Sequence, residues 1–143
     1  MYLLIIIPIV VAAITQALKL ITDGIPKNFT WQHLISDYGG MPSSHTAFVT
    51  SLATVVGLRE GLDSAAFAIA FVLMLVVIRD AIGFRREIGR NAVLTNYLAK
   101  NLLKDKKINL LTERVGHKLS EVIAGLVLGG ALSAIIFFIF IAI

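Results

Sequence analysis

Cysteine is absent from the 143-residue chain, which excludes a disulfide, a thiolate nucleophile and a Cys-ligated metal. Charge is scarce: 15% of residues are Asp, Glu, Lys or Arg, against about a quarter in average soluble domains. With 57% hydrophobic residues and a mean hydropathy of +0.87, the chain is too apolar for a soluble enzyme, a disordered tail or a nucleic-acid-binding module. A net charge of +4 and a pI near 9.6 do not change this, because a membrane protein needs basic cytoplasmic loops. There is no internal repeat and no low-complexity tract, and the length suits a single polytopic membrane domain over 1–143.

What the chain has is long apolar runs. Residues 1–21 are apolar apart from Thr15, Gln16 and Lys19, with Pro8 inside. This stretch has no basic n-region and no clear cleavage site, so it reads as a retained span rather than a signal peptide. A second run, 46–58, is short, and its length fits a re-entrant or buried segment as well as a span. A third covers 64–83, with Arg79 and Asp80 near its end. The fourth, 119–143, carries Gly125, Gly129, Gly130, Ala131 and Ser133, small residues that let helices approach closely in lipid. In 84–118, Ile88, Ala92, Thr95, Ala99 and Leu102 recur at helical spacing beside Leu94 and Leu98, with Arg86, Arg90, Lys100 and Lys104 on a polar side. That pattern predicts an amphipathic helix on the membrane surface, ended by Asp105-Lys106-Lys107. Segment 22–43, with Pro26, Phe29 and Trp31, reads as an interfacial loop. The expected fold is therefore an all-α membrane protein: about four transmembrane helices plus a surface amphipathic helix.

Four spans put 22–43 and 79–118 on one side. With Lys19 taken at the end of its span, that side holds all thirteen Lys and Arg residues except Arg59, so the positive-inside rule places it in the cytoplasm and both termini outside.

Polar residues bordering spans are expensive, and here they gather on that same side. Lys19 ends the first span and Gly39-Gly40-Met41-Pro42-Ser43-Ser44-His45 enters the second. Residues 79–87 leave the third, and 113–121 enter the fourth. Pro42 before Ser43-Ser44 is a helix start, whose N–H groups and dipole favour an anion. His117 and Glu121 stand four apart, so on a helix Glu121 can orient the imidazole. A histidine so held can attack phosphorus, a second one, His45, can protonate the leaving oxygen, and arginine forks suit phosphate oxygens. Together these residues describe metal-free phosphoryl transfer at the membrane surface.

The blocks 39–47, 80–86 and 116–122 resemble the divergent branch of the type 2 phosphatidic acid phosphatase superfamily over nearly the whole chain. The resemblance implies a metal-independent lipid phosphatase without cofactor, acting on a phosphorylated lipid in the bilayer. It implies His117 as nucleophile, Glu121 in place of the usual aspartate, and His45 as the acid. Lys19, Ser43, Ser44, Arg85 and Arg86 become the phosphate-binding set, with Asp80 and Arg114 as support. The chain departs from the usual motifs in three places. Pro26 follows Lys19 at the motif spacing with no arginine before it, Leu111 stands where an arginine usually precedes the histidine, and Ser44 replaces a glycine. Four spans instead of the common six imply a homodimer that completes the scaffold.

Plainer readings compete with these. Lys19 either snorkels to headgroups or binds phosphate, Arg85 and Arg86 either set topology or bind phosphate, and Asp80 pairs with a nearby arginine. A non-catalytic lipid-phosphate binder or transporter would use the same anion pocket. A metal-dependent phosphatidyltransferase would need several spaced aspartates around a Gly-Ala-Arg core, which the sequence lacks.

Overall fold

The computed structural model describes residues 2–23, 40–102, 109–113 and 115–142. The interfacial segment with Pro26, Phe29 and Trp31, the helix end at Asp105-Lys106-Lys107, and Arg114 fall outside these residues. Among the described residues there are five helices and no strand: α1 (Leu3–Asp23), α2 (Ser44–Glu60), α3 (Ala65–Ile82), α4 (Phe84–Leu102) and α5 (Leu119–Ala142). The expected class, an all-α membrane protein with an amphipathic helix beside the bundle, is the class found. By length and composition, Ala65–Leu102 and Leu119–Ala142 are long and apolar enough to cross a bilayer, and Leu3–Lys19 is a shorter apolar helix.

The least apolar of these runs occupies the centre. α2 packs against α1, α3 and α5 together. Its buried residues, Thr46, Ala47, Val49, Thr50, Ser51, Ala53, Val55 and Val56, lie all round the helix. A helix enclosed by other helices needs small size more than oiliness, because protein rather than lipid is its solvent. Around it, Ile7 and Val11 of α1 meet Ala47, Val55 and Phe137, while Ala53 and Val56 meet Ala70 of α3. The outer helices turn large apolar side chains outward, as Ile69 does at 71% exposure.

Hydroxyls inside the bundle are largely satisfied by their own helices. Thr15 donates to the Val11 carbonyl, Thr54 to that of Thr50, and Ser133 to that of Gly129, all four residues back. Ser43 and Ser64 cap α2 and α3, accepting from the Thr46 and Phe67 N–H groups.

Gly125 and Gly129, four apart on α5, are where α2 and α5 touch backbone to backbone. A Cβ on Gly125 would lie 2.6 Å from the Ser43 carbonyl oxygen, and one on Gly129 would lie 2.5 Å from that of Ala47. At Gly130 the nearest atoms are 3.9 Å away. Gly129→Ala is therefore expected to destabilise by about 1–3 kcal/mol through overpacking. Gly130→Ala is expected to be neutral or stabilising by up to about 1 kcal/mol through helix propensity. Thermal midpoints in detergent check the pair, and equal midpoints for the two variants would contradict the α2–α5 contact.

α4 follows α3 after a break at Gly83 and packs beside it. It is amphipathic as expected, with Ile88, Leu94, Leu98 and Leu102 exposed. Ala92 does not share that outer face: it is buried with Gly89 and Asn96, on the side that receives Leu111, Glu113 and Val115. Small side chains there let the neighbouring backbone approach closely.

Candidate functional site

The site is assembled where the ends of four helices meet. Residues 111–113 and 115–117 lie along α4 and place His117. Asn96, 3% exposed, donates to the Leu111 carbonyl at 2.8 Å and to Glu113 Oε1 at 2.8 Å, and accepts from the Leu111 N–H at 2.9 Å. Leu111, standing where an arginine is usual, is thus held by its backbone. A Cβ on Gly89 would meet the Glu113 and Val115 carbonyl oxygens at 2.9 and 2.8 Å, so only glycine admits the segment so closely. Gly116 then turns the chain at φ +87° against the Arg86 backbone. The His117 N–H donates to the Ala81 carbonyl at 3.1 Å, fixing it to the end of α3.

His117 is 6% exposed, and its Nδ1 lies 2.8 Å from Glu121 Oε2. The expected partnership forms, but not as two residues on one helix face: α5 begins at Leu119, after His117. Glu121 instead sits in the first turn and reaches back to the Lys118 N–H at 3.2 Å, half of a capping box, and the same oxygen accepts from His117. It also accepts from the Gly40 N–H at 3.2 Å, while its main-chain carbonyl accepts from the Ser43 N–H at 3.0 Å. One residue therefore ties His117 to the turn that starts α2.

That turn is fastened to α1 as well. Thr22 donates to the Met41 carbonyl at 2.7 Å and Ser44 to Gln16 Oε1 at 2.7 Å. Lys19, half-buried between them, carries a charge near enough to act on both His45 and His117. Ser43 is buried and occupied as the α2 cap, its oxygen also accepting from Thr46 Oγ1 at 3.0 Å. Asp80 pairs with Arg85 Nε at 2.6 Å across the α3–α4 break.

Two openings flank His117. A narrow cleft of about 10 Å³, room for roughly one water, is lined by His45, Val77, Asp80, Ala81, Arg85 and His117. A wider cavity of about 300 Å³, also bordered by His117, is lined by Arg86, Arg90, Val93, Glu113, Lys118 and Glu121, among others. Both histidines, Glu121, Asp80, Arg85 and Arg86 thus surround one region, and Lys19 approaches it from α1. Ser43 and Ser44 support it from the α2 start, without lining either opening. No group of three or more His, Asp or Glu side chains suited to a metal occurs among the described residues.

Burial pushes the His117 imidazole below the ordinary histidine range, helped by the Lys19 and His45 charges and opposed by its bond to Glu121. At neutral pH it is an uncharged imidazole. With Nδ1–H donated to the carboxylate, Nε2 carries the lone pair, which is the tautomer a nucleophile needs.

Gln16, Asn96 and Gly89 are site-building residues that motif reasoning passed over. Gly89 left a signal, since a glycine inside a helical pattern marks close packing. Asn96 left none.

No solved structure matches the chain. An uncharacterized membrane protein of Bacillus subtilis (strain 168), YuiD, is 35% identical over 129 residues, covering 81% of this chain and 81% of the relative. A family profile described as the Divergent PAP2 family matches residues 2–132, nearly the whole of the helical bundle and all of the histidine site. The chain belongs to the Divergent PAP2 family.

Proposed function

We propose that this protein is a multi-pass membrane lipid phosphatase that hydrolyses a lipid phosphomonoester or pyrophosphate through a phosphohistidine. The observation that carries the reading is His117, neutral, oriented through Nδ1 by Glu121, and sharing a cleft with His45, Asp80 and Arg85. Nε2 of His117 attacks phosphorus, the bond to the lipid oxygen breaks, and His45 gives its proton to that oxygen. Water then attacks the phosphohistidine, yields a proton to His45 and releases inorganic phosphate. Lys19, Arg85 and Arg86 offset the phosphoryl charge, and the one-water width of the cleft suits the leaving oxygen and the later water. Membership in the family supports the reaction class. Phosphate release by the purified protein from phosphatidic acid, phosphatidylglycerophosphate and a polyprenyl pyrophosphate, with and without chelator, tests it. Binding of the lipids without release from any of them would replace it by a binder or transporter.

In this reading α1, α2, α3 and α5 cross the bilayer and the histidine site faces the cytoplasm. The basic residues support this orientation, all but Arg59 lying on the site side. Single cysteines at Asn109 and Ile143, in a protein that has none of its own, are expected to react from inside and from outside respectively. Labelling of position 109 from outside would reverse the orientation.

A further inference from the structure

Two cations of the wide cavity, Arg90 and Lys118, stand outside the phosphate-binding set drawn from the motifs. The cavity holds about 300 Å³, ample for a phosphoryl group and part of a headgroup, whereas the cleft beside His45 has room for about one water. Its charged lining is Arg86, Arg90, Lys118, Glu113 and Glu121, with His117 at the inner wall. Both carboxylates are already committed, Glu113 to Asn96 and Glu121 to His117 and two backbone N–H groups. Arg90 bonds to Glu87, which engages one of its five N–H donors and steadies the guanidinium. Along α4, Arg86, Arg90 and Val93 line the cavity, whereas Phe84, Ile88, Leu98 and Leu102 are exposed on the opposite side of the helix. An amphipathic helix with that apolar face in lipid holds its cationic side at headgroup depth.

Resting on the lipid-phosphatase reading, we propose that Arg90 and Lys118, together with Arg86, bind the phosphoryl headgroup in the wide cavity against His117. The arginine forks grip two phosphate oxygens, and the Lys118 ammonium adds a point charge from the start of α5. The chemistry recognised is a phosphoryl group, carried on a lipid or free in solution.

The test is equilibrium binding to the full chain in detergent, with dioctanoyl phosphatidic acid, inorganic phosphate and, as a neutral headgroup, dioctanoyl phosphatidylcholine. Arg90→Gln and Lys118→Gln are each expected to weaken phosphatidic acid binding about tenfold and the double variant about a hundredfold, as for lost charge-assisted hydrogen bonds. Arg59→Gln, at the far end of α2, is expected to bind as wild type. Unchanged helix content and elution establish folding, and the two single variants, on different elements, guard against a local collapse. Inorganic phosphate competing with the lipid assigns recognition to the phosphoryl group alone, while lipid binding without that competition assigns it to the lipid-borne headgroup; either supports the site. Wild-type affinity in the double variant overturns it, and so does equal binding of phosphatidylcholine. The two readings fail separately. A wild type that releases no phosphate, with the double variant losing lipid affinity, removes catalysis and keeps the site. Turnover with KM unchanged in the double variant does the reverse.

Discussion

His117→Ala is expected to abolish phosphate release from every lipid substrate, by on the order of 10⁴-fold or more, the scale on which a covalent nucleophile is lost. Nothing else in the cleft replaces it. Glu121 orients the His117 ring, whereas His45 stands on α2 in the role of the acid, and no cysteine exists to take the role. Because His117 is 6% exposed and bonded only at its edge, truncation removes the imidazole without uncapping α5: Glu121 keeps its bonds to the Lys118 and Gly40 N–H groups. The variant should therefore fold and still bind lipid. The pH dependence has a definite sign. A folded-state pKa below the ordinary 6.5 keeps His117 neutral to lower pH, so the acid limb of kcat/KM due to this group falls below 6.5. The same shift makes the folded protein bind fewer protons than the unfolded chain around His117, so its contribution to stability is present above pH 6.5 and is lost as pH falls towards the folded-state pKa. An acid limb at or above 6.5, carried unchanged by a Glu121→Gln variant, would contradict the assignment.

His45→Ala is expected to lower turnover of lipid substrates by about 10²–10⁴-fold, the usual contribution of a general acid, and to recover substantially with an activated aryl phosphate. A leaving group that departs as a stable anion needs no proton, so the missing acid matters less. A missing nucleophile cannot be rescued in that way. Phosphoenzyme should accumulate in His45→Ala with the aryl phosphate, since the water step has lost its base. Parallel rates with alkyl and aryl substrates in this variant would show that His45 does not protonate the leaving oxygen.

The apolar runs showed the helices because lipid-facing surfaces must be oily along their whole length, and α1, α3 and α5 carry that signature. α2 does not. Its Ser, Thr, Ala and Gly content reflects enclosure by three neighbours, a property of the assembled bundle that no window along the chain contains. The two histidines, Glu121 and the arginines were legible from their crowding at the ends of the apolar runs, since ionisable groups are costly beside such runs without a purpose. The bond between His117 and Glu121 was legible too, although its cause differs: a capping carboxylate in the first turn of α5, not a shared helix face. The segment 111–117 was not legible. It has no hydrophobic period, and the residue that holds it, Asn96, is a single amide whose three bonds exist only once α4 and the segment meet. Arg90, read on the polar side of α4, and Lys118, beside His117 in the third block, share one cavity because folding brings α4 beside the start of α5.

The proposed reaction turns on a phosphoryl group carried by His117 Nε2. Rapid acid-free quenching of the purified protein with phosphate-labelled lipid measures it most directly, with the labelled residue located in the wild type and in His117→Ala. A base-stable, acid-labile label on His117 in the wild type, and none in the variant, is the expected result. Wild-type phosphate release from His117→Ala, or turnover in the wild type with no label on any histidine, would contradict it.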